Sequence, residues 1–191
     1  RSTLFPYTTL FRSSVICEFR LFAGDSVKSV KSGIKMEKRK VDQIVIENFK
    51  SIKKVDLKLK NINILIGANG VGKSNFIPFF KMLNSFVENE FQKYVMMEGG
   101  ANSLLYFGRK NSQYICGELR FDRNKYHFRL SPDKEDNLFF VHEMVSFYTD
   151  FGTWSQDIIN MNQKESKLEE ESKKKSPHGH RRSNHIMFLT H

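Results

Sequence analysis

The chain has 191 residues, 39% hydrophobic and 13% aromatic with eighteen phenylalanines, enough for one domain with a real core. Two cysteines, Cys17 and Cys116, allow neither a disulfide framework nor a metal-ligand spacing. With so few cysteines a reducing, cytoplasmic setting is the default, and no apolar run approaches the length of a membrane span. The formal charge of +10 points towards nucleic acid, yet residues 36–175 hold 23 basic and 19 acidic residues, a net +4. Much of the basic excess therefore lies at the two ends.

In chain order, the first stretch is anomalous. Thr3-Leu4-Phe5-Pro6-Tyr7-Thr8-Thr9-Leu10-Phe11-Arg12-Ser13 resembles the in-frame translation of a common sequencing adapter, and residues 1–13 are set aside on that ground. The stretch also imitates a secretory signal, but Pro6, Tyr7 and the paired threonines break its apolar centre. Residues 14–35 show no sustained periodicity, and Met36-Glu37-Lys38-Arg39-Lys40 reads as a start. Residues 1–35 are thus expected to be an artefactual or disordered leader, with a genuine short extension as the alternative.

From Val41 the pattern sharpens. Val41, Ile44, Val45 and Ile46 predict a strand running into Glu47-Asn48-Phe49-Lys50-Ser51-Ile52. Val55, Leu57 and Leu59 then alternate with Asp56, Lys58 and Lys60, the pattern of a half-buried strand. Ile62-Asn63-Ile64-Leu65-Ile66 is a β-branched run suited to a central parallel strand. Gly67-Ala68-Asn69-Gly70-Val71-Gly72-Lys73-Ser74 follows and fits G-x-x-x-x-G-K-[ST], the phosphate-binding loop of nucleoside triphosphatases. Its glycines let consecutive N–H groups turn inward on an anion. Lys73 would reach the β- and γ-phosphates, and the Ser74 hydroxyl would take one position on Mg²⁺.

Phe76, Phe79, Phe80, Leu83 and Val87 predict a helix over 75–87, whose positive end would face the same anion. Pro78 lies a turn inside it, and an interior proline costs about 3 kcal/mol or more; within the first turn the cost shrinks. A chance glycine turn is the bland alternative, and the strand before the loop and the helix after it argue against that.

The pair Ile46-Glu47-Asn48-Phe49-Lys50-Ser51-Ile52 and Asn63-Ile64-Leu65-Ile66-Gly67-Ala68-Asn69-Gly70-Val71-Gly72-Lys73-Ser74-Asn75 is more specific than the loop alone. It resembles the N-terminal half of the ATP-binding head of RecF/SMC-like, ABC-type ATPases, a group often called AAA family ATPases. The resemblance covers about residues 36–150, strongly to 90 and more loosely after. It implies an α/β fold, the N-terminal half of a P-loop NTPase head with an antiparallel β meander after the P-loop helix. It also implies phosphate contacts from Lys50 and Asn69, and a nucleotide site that takes in Gly70, Val71, Gly72, Lys73, Ser74 and Asn75 with ATP and Mg²⁺.

Beyond Glu88 the register loosens. Gly99-Gly100-Ala101-Asn102 reads as a turn; it lacks the Leu-Ser of a signature motif. Residues 114–121, 126–130 and 138–147 read as strands, with Asp122-Arg123-Asn124-Lys125 as a hairpin turn and another turn starting at Ser131-Pro132-Asp133. His127 is expected to face solvent. Leu138-Phe139-Phe140-Val141-His142-Glu143 imitates a Walker B strand, but a meander strand is the better reading because His142 displaces the acid. Residues 164–175 read as an exposed helix or disordered linker. His178, His180 and His185 are too loosely spaced to define a metal site, and 186–191 reads as a truncation or frameshift.

The expected organisation is a leader over 1–35, the N-terminal part of a P-loop ATPase domain over 36–160, and a charged linker or truncated tail over 161–191. Hydrolysis needs a Walker B carboxylate and a signature loop, and neither is legible in 75–191. The reading is an N-terminal fragment of an ATPase, able at most to bind nucleotide weakly, whose intact parent would hydrolyse ATP as a homodimer through the head. The parent would act on DNA in repair or in defence against foreign DNA. The alternatives are an ATPase sensor for a nuclease effector, and an inactive nucleotide-binding remnant. No Asn-Lys-x-Asp stretch is present, against a GTPase. The DNA partner rests on the resemblance and the modest positive balance.

Overall fold

The computed structural model describes residues 8–11, 41–68, 70–121, 124–149, 152–159 and 162–173. Cys17, Met36, Asn69, the hairpin residues Asp122 and Arg123, and His178, His180 and His185 lie outside them. The strands are β1 (Thr8–Phe11), β2 (Gln43–Phe49), β3 (Ile52–Lys58), β4 (Asn63–Ile66), β5 (Ile115–Phe121), β6 (Asn124–Pro132), β7 (Leu138–Thr149) and β8 (Gly152–Ile159). Between β4 and β5 come a 3₁₀ turn at Lys73–Asn75 and the helices α1 (Phe76–Val87), α2 (Phe91–Met97) and α3 (Ala101–Leu104). A last helix, α4, spans Leu168–Lys173.

Six strands form one antiparallel sheet in the order β3-β2-β5-β6-β7-β8. Four of them, β5 to β8, are a meander in which each strand pairs with the next. Period-two alternation decides the faces. Ile44 and Ile46 on β2, Ile115 and Leu119 on β5, and Tyr126, Phe128 and Leu130 on β6 are all buried. Their neighbours Glu47, Glu118, His127 and Arg129 stand on the opposite face and remain at least partly exposed.

Helix α1 covers the buried face. Its spacing brings Phe76, Phe79, Phe80 and Phe86 onto one side, where all four are buried. Phe86 meets Phe128 at 5.0 Å and Phe140 at 4.9 Å between ring centroids, both edge to face. Phe79 meets Phe49 at 5.4 Å. Each buried phenylalanine contributes about 1.5–3 kcal/mol by transfer from water, and edge-to-face geometry adds roughly 0.5–1.5 kcal/mol per pair. The phenylalanine-rich composition is thus spent on joining α1 to the sheet. Gly117 on β5 leaves room for this, since a Cβ there would come within 2.3 Å of the Phe128 ring.

Pro78 does not break α1. The helix begins at Phe76, so Pro78 is its third residue, among N–H groups that have no intrahelical acceptor. The Phe76 N–H bonds to the Lys73 carbonyl in the preceding 3₁₀ turn, and the Pro78 carbonyl accepts the Tyr94 hydroxyl at 2.7 Å. The interior-proline penalty therefore does not arise.

Two further expectations are corrected. Strand β4 is not central and parallel: it pairs antiparallel with β1, apart from the six-stranded sheet. Ile62, Ile64 and Ile66 are consequently more than half exposed; no described strand lies parallel to β4 to bury them. The segment read as the start of a charged linker is tied to the body instead. Gln163 and Phe140 exchange backbone hydrogen bonds. The Glu165 carboxylate accepts the N–H groups of Phe91 at 2.8 Å and Gln92 at 3.0 Å, at the start of α2, and Leu168 is buried.

Strand β7 carries a bulge that decides the fate of Glu143. Arg129 pairs with His142 and Leu130 with Phe140, so Val141 is the extra residue. A bulge of this kind shifts the alternation by one, and Glu143 turns to the buried face opposite Phe128. It is fully buried, accepting from the Tyr126 hydroxyl at 2.7 Å, the Ser166 hydroxyl at 2.6 Å and the Lys167 N–H at 3.1 Å. This acid ties the meander to residues 166–168.

Candidate nucleotide-binding site

The loop 67–72 leaves β4 and enters the 3₁₀ turn and α1, giving strand, loop and helix in succession. Gly70 and Gly72 have φ of 83° and 98°, a region an L side chain enters at a cost of roughly 1–2 kcal/mol. Gly72 is doubly constrained. A Cβ there would sit 2.9 Å from Ile52 Cγ1 and 3.1 Å from Ser51 Oγ. The loop thus packs against the corner between β2 and β3, and the two motifs separated in sequence meet at Gly72. The Asn75 side-chain amide donates to Ser51 Oγ at 2.9 Å across the same junction.

Lys73 curls back over its own loop, donating to the carbonyls of Gly67 at 2.5 Å and Ala68 at 2.7 Å. Its ammonium is held inside the loop's turn, where a phosphate would offer stronger, charged acceptors. Ser74 and Val71 are exposed, and Ser74 reaches solvent from the 3₁₀ turn that precedes α1. Asn69 lies outside the described residues.

Lys50 sits at the β2–β3 corner with φ of 50°, two residues after Asn48 at 58°. Both left-handed residues are stabilised from across the chain. The Lys50 N–H donates to the Leu104 carbonyl at 2.8 Å, Tyr106 N–H to the Asn48 carbonyl at 3.0 Å, and Phe107 N–H to the Lys50 carbonyl at 3.3 Å. The Lys50 ammonium pairs with Glu98 Oε2 at 2.6 Å in a half-buried contact. Neighbouring Tyr94 has its phenol pKa raised, by burial first and then by the charge of Glu98.

A cleft of about 710 Å³ opens beside this corner, lined among others by Lys50, Ser51, Asn75, Asn102, Phe107 and Lys110. That volume is in the range of small-molecule sites. Of the residues expected at the site, Lys50 and Asn75 line the cleft, whereas Gly70, Val71, Gly72, Lys73 and Ser74 do not. Sequence reasoning missed Ser51, Glu98 and the 102–111 segment. Glu98 is 48 residues from Lys50 in sequence, so local pattern carries no sign of the pair. The one available signal was Phe107-Gly108-Arg109-Lys110, an aromatic among basic residues after a loosely patterned stretch.

The polar face of the sheet holds a second cluster. Cys116 Sγ lies 3.2 Å from His127 Nε2, and His127 Nδ1 lies 3.3 Å from His142 Nδ1. His127 is half-buried rather than solvent-facing. Each ring nitrogen of His127 faces a different neighbour, so one ion could not take all three groups. Among the described residues, no group of three ligating side chains suits a metal. Burial, then Glu47, pushes the Cys116 thiol up to about 11, leaving it protonated and unreactive at neutral pH.

No protein-family profile matches the chain, and no solved structure matches it. Among curated proteins it is 31% identical over 87 residues to the endonuclease GajA of Bacillus cereus (strain VD045). That stretch is 46% of this chain and 14% of that protein. The chain is distantly similar to part of an endonuclease. Among the described residues, no helix is long and apolar enough to cross a membrane.

Proposed function

We propose that this chain is the nucleotide-binding part of a RecF/SMC-like ATPase, taking Mg-ATP at loop 67–74 with Lys50 and Asn75 at its edge. The observation that carries the reading is the junction at Gly72, where the glycine loop packs on the Ser51–Ile52 corner. Two distant motifs that resemble the same ATPase head become one surface there, presenting Lys50, Lys73 and the start of α1. Asn69 and the turn glycines complete the phosphate loop in this reading, and Ser74 supplies the one protein hydroxyl for Mg²⁺.

The likeness to an endonuclease favours a particular form of the proposal. The intact protein couples this head to cleavage of DNA, with ATP as the switch, in the cytoplasm and as a dimer through the head. Repair and anti-foreign-DNA defence are both consistent with that chemistry. A Walker B acid and a signature loop would come from elsewhere in the intact protein, because Glu143 is taken up in the core.

Isothermal titration of the chain with Mg-ATP tests the binding. Saturable binding that is abolished by Lys73→Ala is expected. Absence of binding by the unsubstituted chain, or a preference for GTP, would sink the proposal; the first outcome leaves a remnant whose loop is unused.

A further inference from the structure

Phe107 is an anomaly of the cleft. It is 66% exposed and has φ of 49°, a backbone region that costs a bulky L-residue energy. Its backbone is nevertheless held from both sides. Its N–H reaches the Lys50 carbonyl, and its own carbonyl accepts the Asn111 side-chain amide at 2.7 Å. The following residue, Gly108, continues at φ of 81°. Asn102 Oδ1 holds the next turn by accepting the Arg109 N–H at 3.0 Å, and Tyr106 supports the Phe107 ring edge to face at 4.7 Å.

A strained backbone usually gains burial in return. Here it holds an aromatic ring in water, at the rim of the cleft that also contains Lys50, Ser51 and Asn75. The cleft therefore sets one exposed aromatic ring among two cations, Lys50 and Lys110, and the hydrogen-bonding groups of Ser51, Asn75 and Asn102. That combination suits a nucleotide, which needs cations and hydrogen-bond donors for its phosphates and a flat apolar face for its base. An exposed ring offers the base a π-face, and stacking of this kind is tolerant of base identity.

We infer that Phe107 is the base-stacking residue of the nucleotide site, with segment 106–111 forming the subsite for the nucleobase. The inference rests on the nucleotide reading above and adds where the base goes. It predicts that part of the affinity depends on the base and is carried by this one ring.

The test compares Mg-ATP with inorganic tripolyphosphate, each titrated calorimetrically into the chain and its variants. Phe107→Ala should weaken ATP about tenfold, the scale of one lost stacking contact, and leave tripolyphosphate unchanged. Phe107→Trp should retain the ATP affinity. Because the side chain is exposed, neither substitution should alter the thermal melt, and Phe107→Leu checks that an apolar group without a π-face behaves as the alanine does. The inference is overturned if Phe107→Ala leaves ATP binding intact, if it weakens both ligands equally, or if the unsubstituted chain binds tripolyphosphate as tightly as ATP. In each of these cases the phosphate loop still stands as a binding site. If neither ligand binds the unsubstituted chain, the nucleotide reading fails with it.

Discussion

At the scale of single residues, the buried carboxylate of Glu143 is the most consequential polar group in the core. Three donors converge on it, from Tyr126, Ser166 and Lys167. Burial first, then the Glu143 charge, hold the Tyr126 phenol well above its ordinary range, so it stays a donor. Removing the acceptor leaves buried donors unmatched, at about 1–3 kcal/mol each. Glu143→Ala should therefore lower unfolding free energy by about 3 kcal/mol in urea denaturation, and Glu143→Gln by less, since one amide oxygen can still accept. A loss below about 0.5 kcal/mol for the alanine variant would show that the network contributes little. His127 carries a different signature. Burial first, then His142, lower its pKa, against the opposing pull of Glu118; Lys125 and Arg129 act in the same direction as His142. The fold resists protonating it, so the unfolded chain takes up the proton first as pH falls below about 6.5. Stability should rise with pH through the window just below 6.5 and be lost as pH drops across it. Midpoints of urea unfolding between pH 5 and 8 should show this slope, and His127→Asn should flatten it.

At the scale of elements, legibility follows the range of the forces involved. Strands β2, β5 and β6 were readable because one face of each is buried, and β3 because one face is partly so, which writes a period of two into the sequence. Helix α1 was readable from its phenylalanines for the same reason at helical spacing. Helices α2 and α3 were not, since they are short and are ended by turns whose backbone bonds reach across the chain, such as Ala101 N–H to the Asp136 carbonyl at 2.8 Å. Strand β8 lacks a contrast with β7 strong enough to separate the two by pattern. The bulge at Val141 was invisible as well, because a run of apolar residues masks a shift in alternation. At the site, the glycine loop and Lys50 were legible as motifs, whereas the cleft that Lys50 shares with Phe107 depends on hydrogen bonds between residues more than fifty positions apart. Motif chemistry is local; the cleft is tertiary.

At the scale of the whole molecule, stability and function occupy different ground. The six-stranded sheet with α1 carries the aromatic core, while β4, which launches the glycine loop, stands apart with Ile66 71% exposed. Its described partner is β1, paired over four residues from Thr8 to Phe11. That segment falls in the stretch resembling translated adapter sequence. An open strand edge is a template for whatever extended segment is near, and this four-residue ladder stands outside the six-stranded sheet. Removal of residues 1–13 should accordingly leave the thermal midpoint within about 2 °C of the full chain, since a change under 0.5 kcal/mol shifts a domain of this size by little more. Amide hydrogen exchange at 63–66 should accelerate at the same time, because local opening there no longer breaks the β1 ladder. A large fall in the midpoint would instead mean that β1 belongs to the cooperative core. In the proposed reading, the loop that would close on phosphate leaves a strand outside the six-stranded sheet, while the corner holding Lys50 joins β2 and β3 of that sheet.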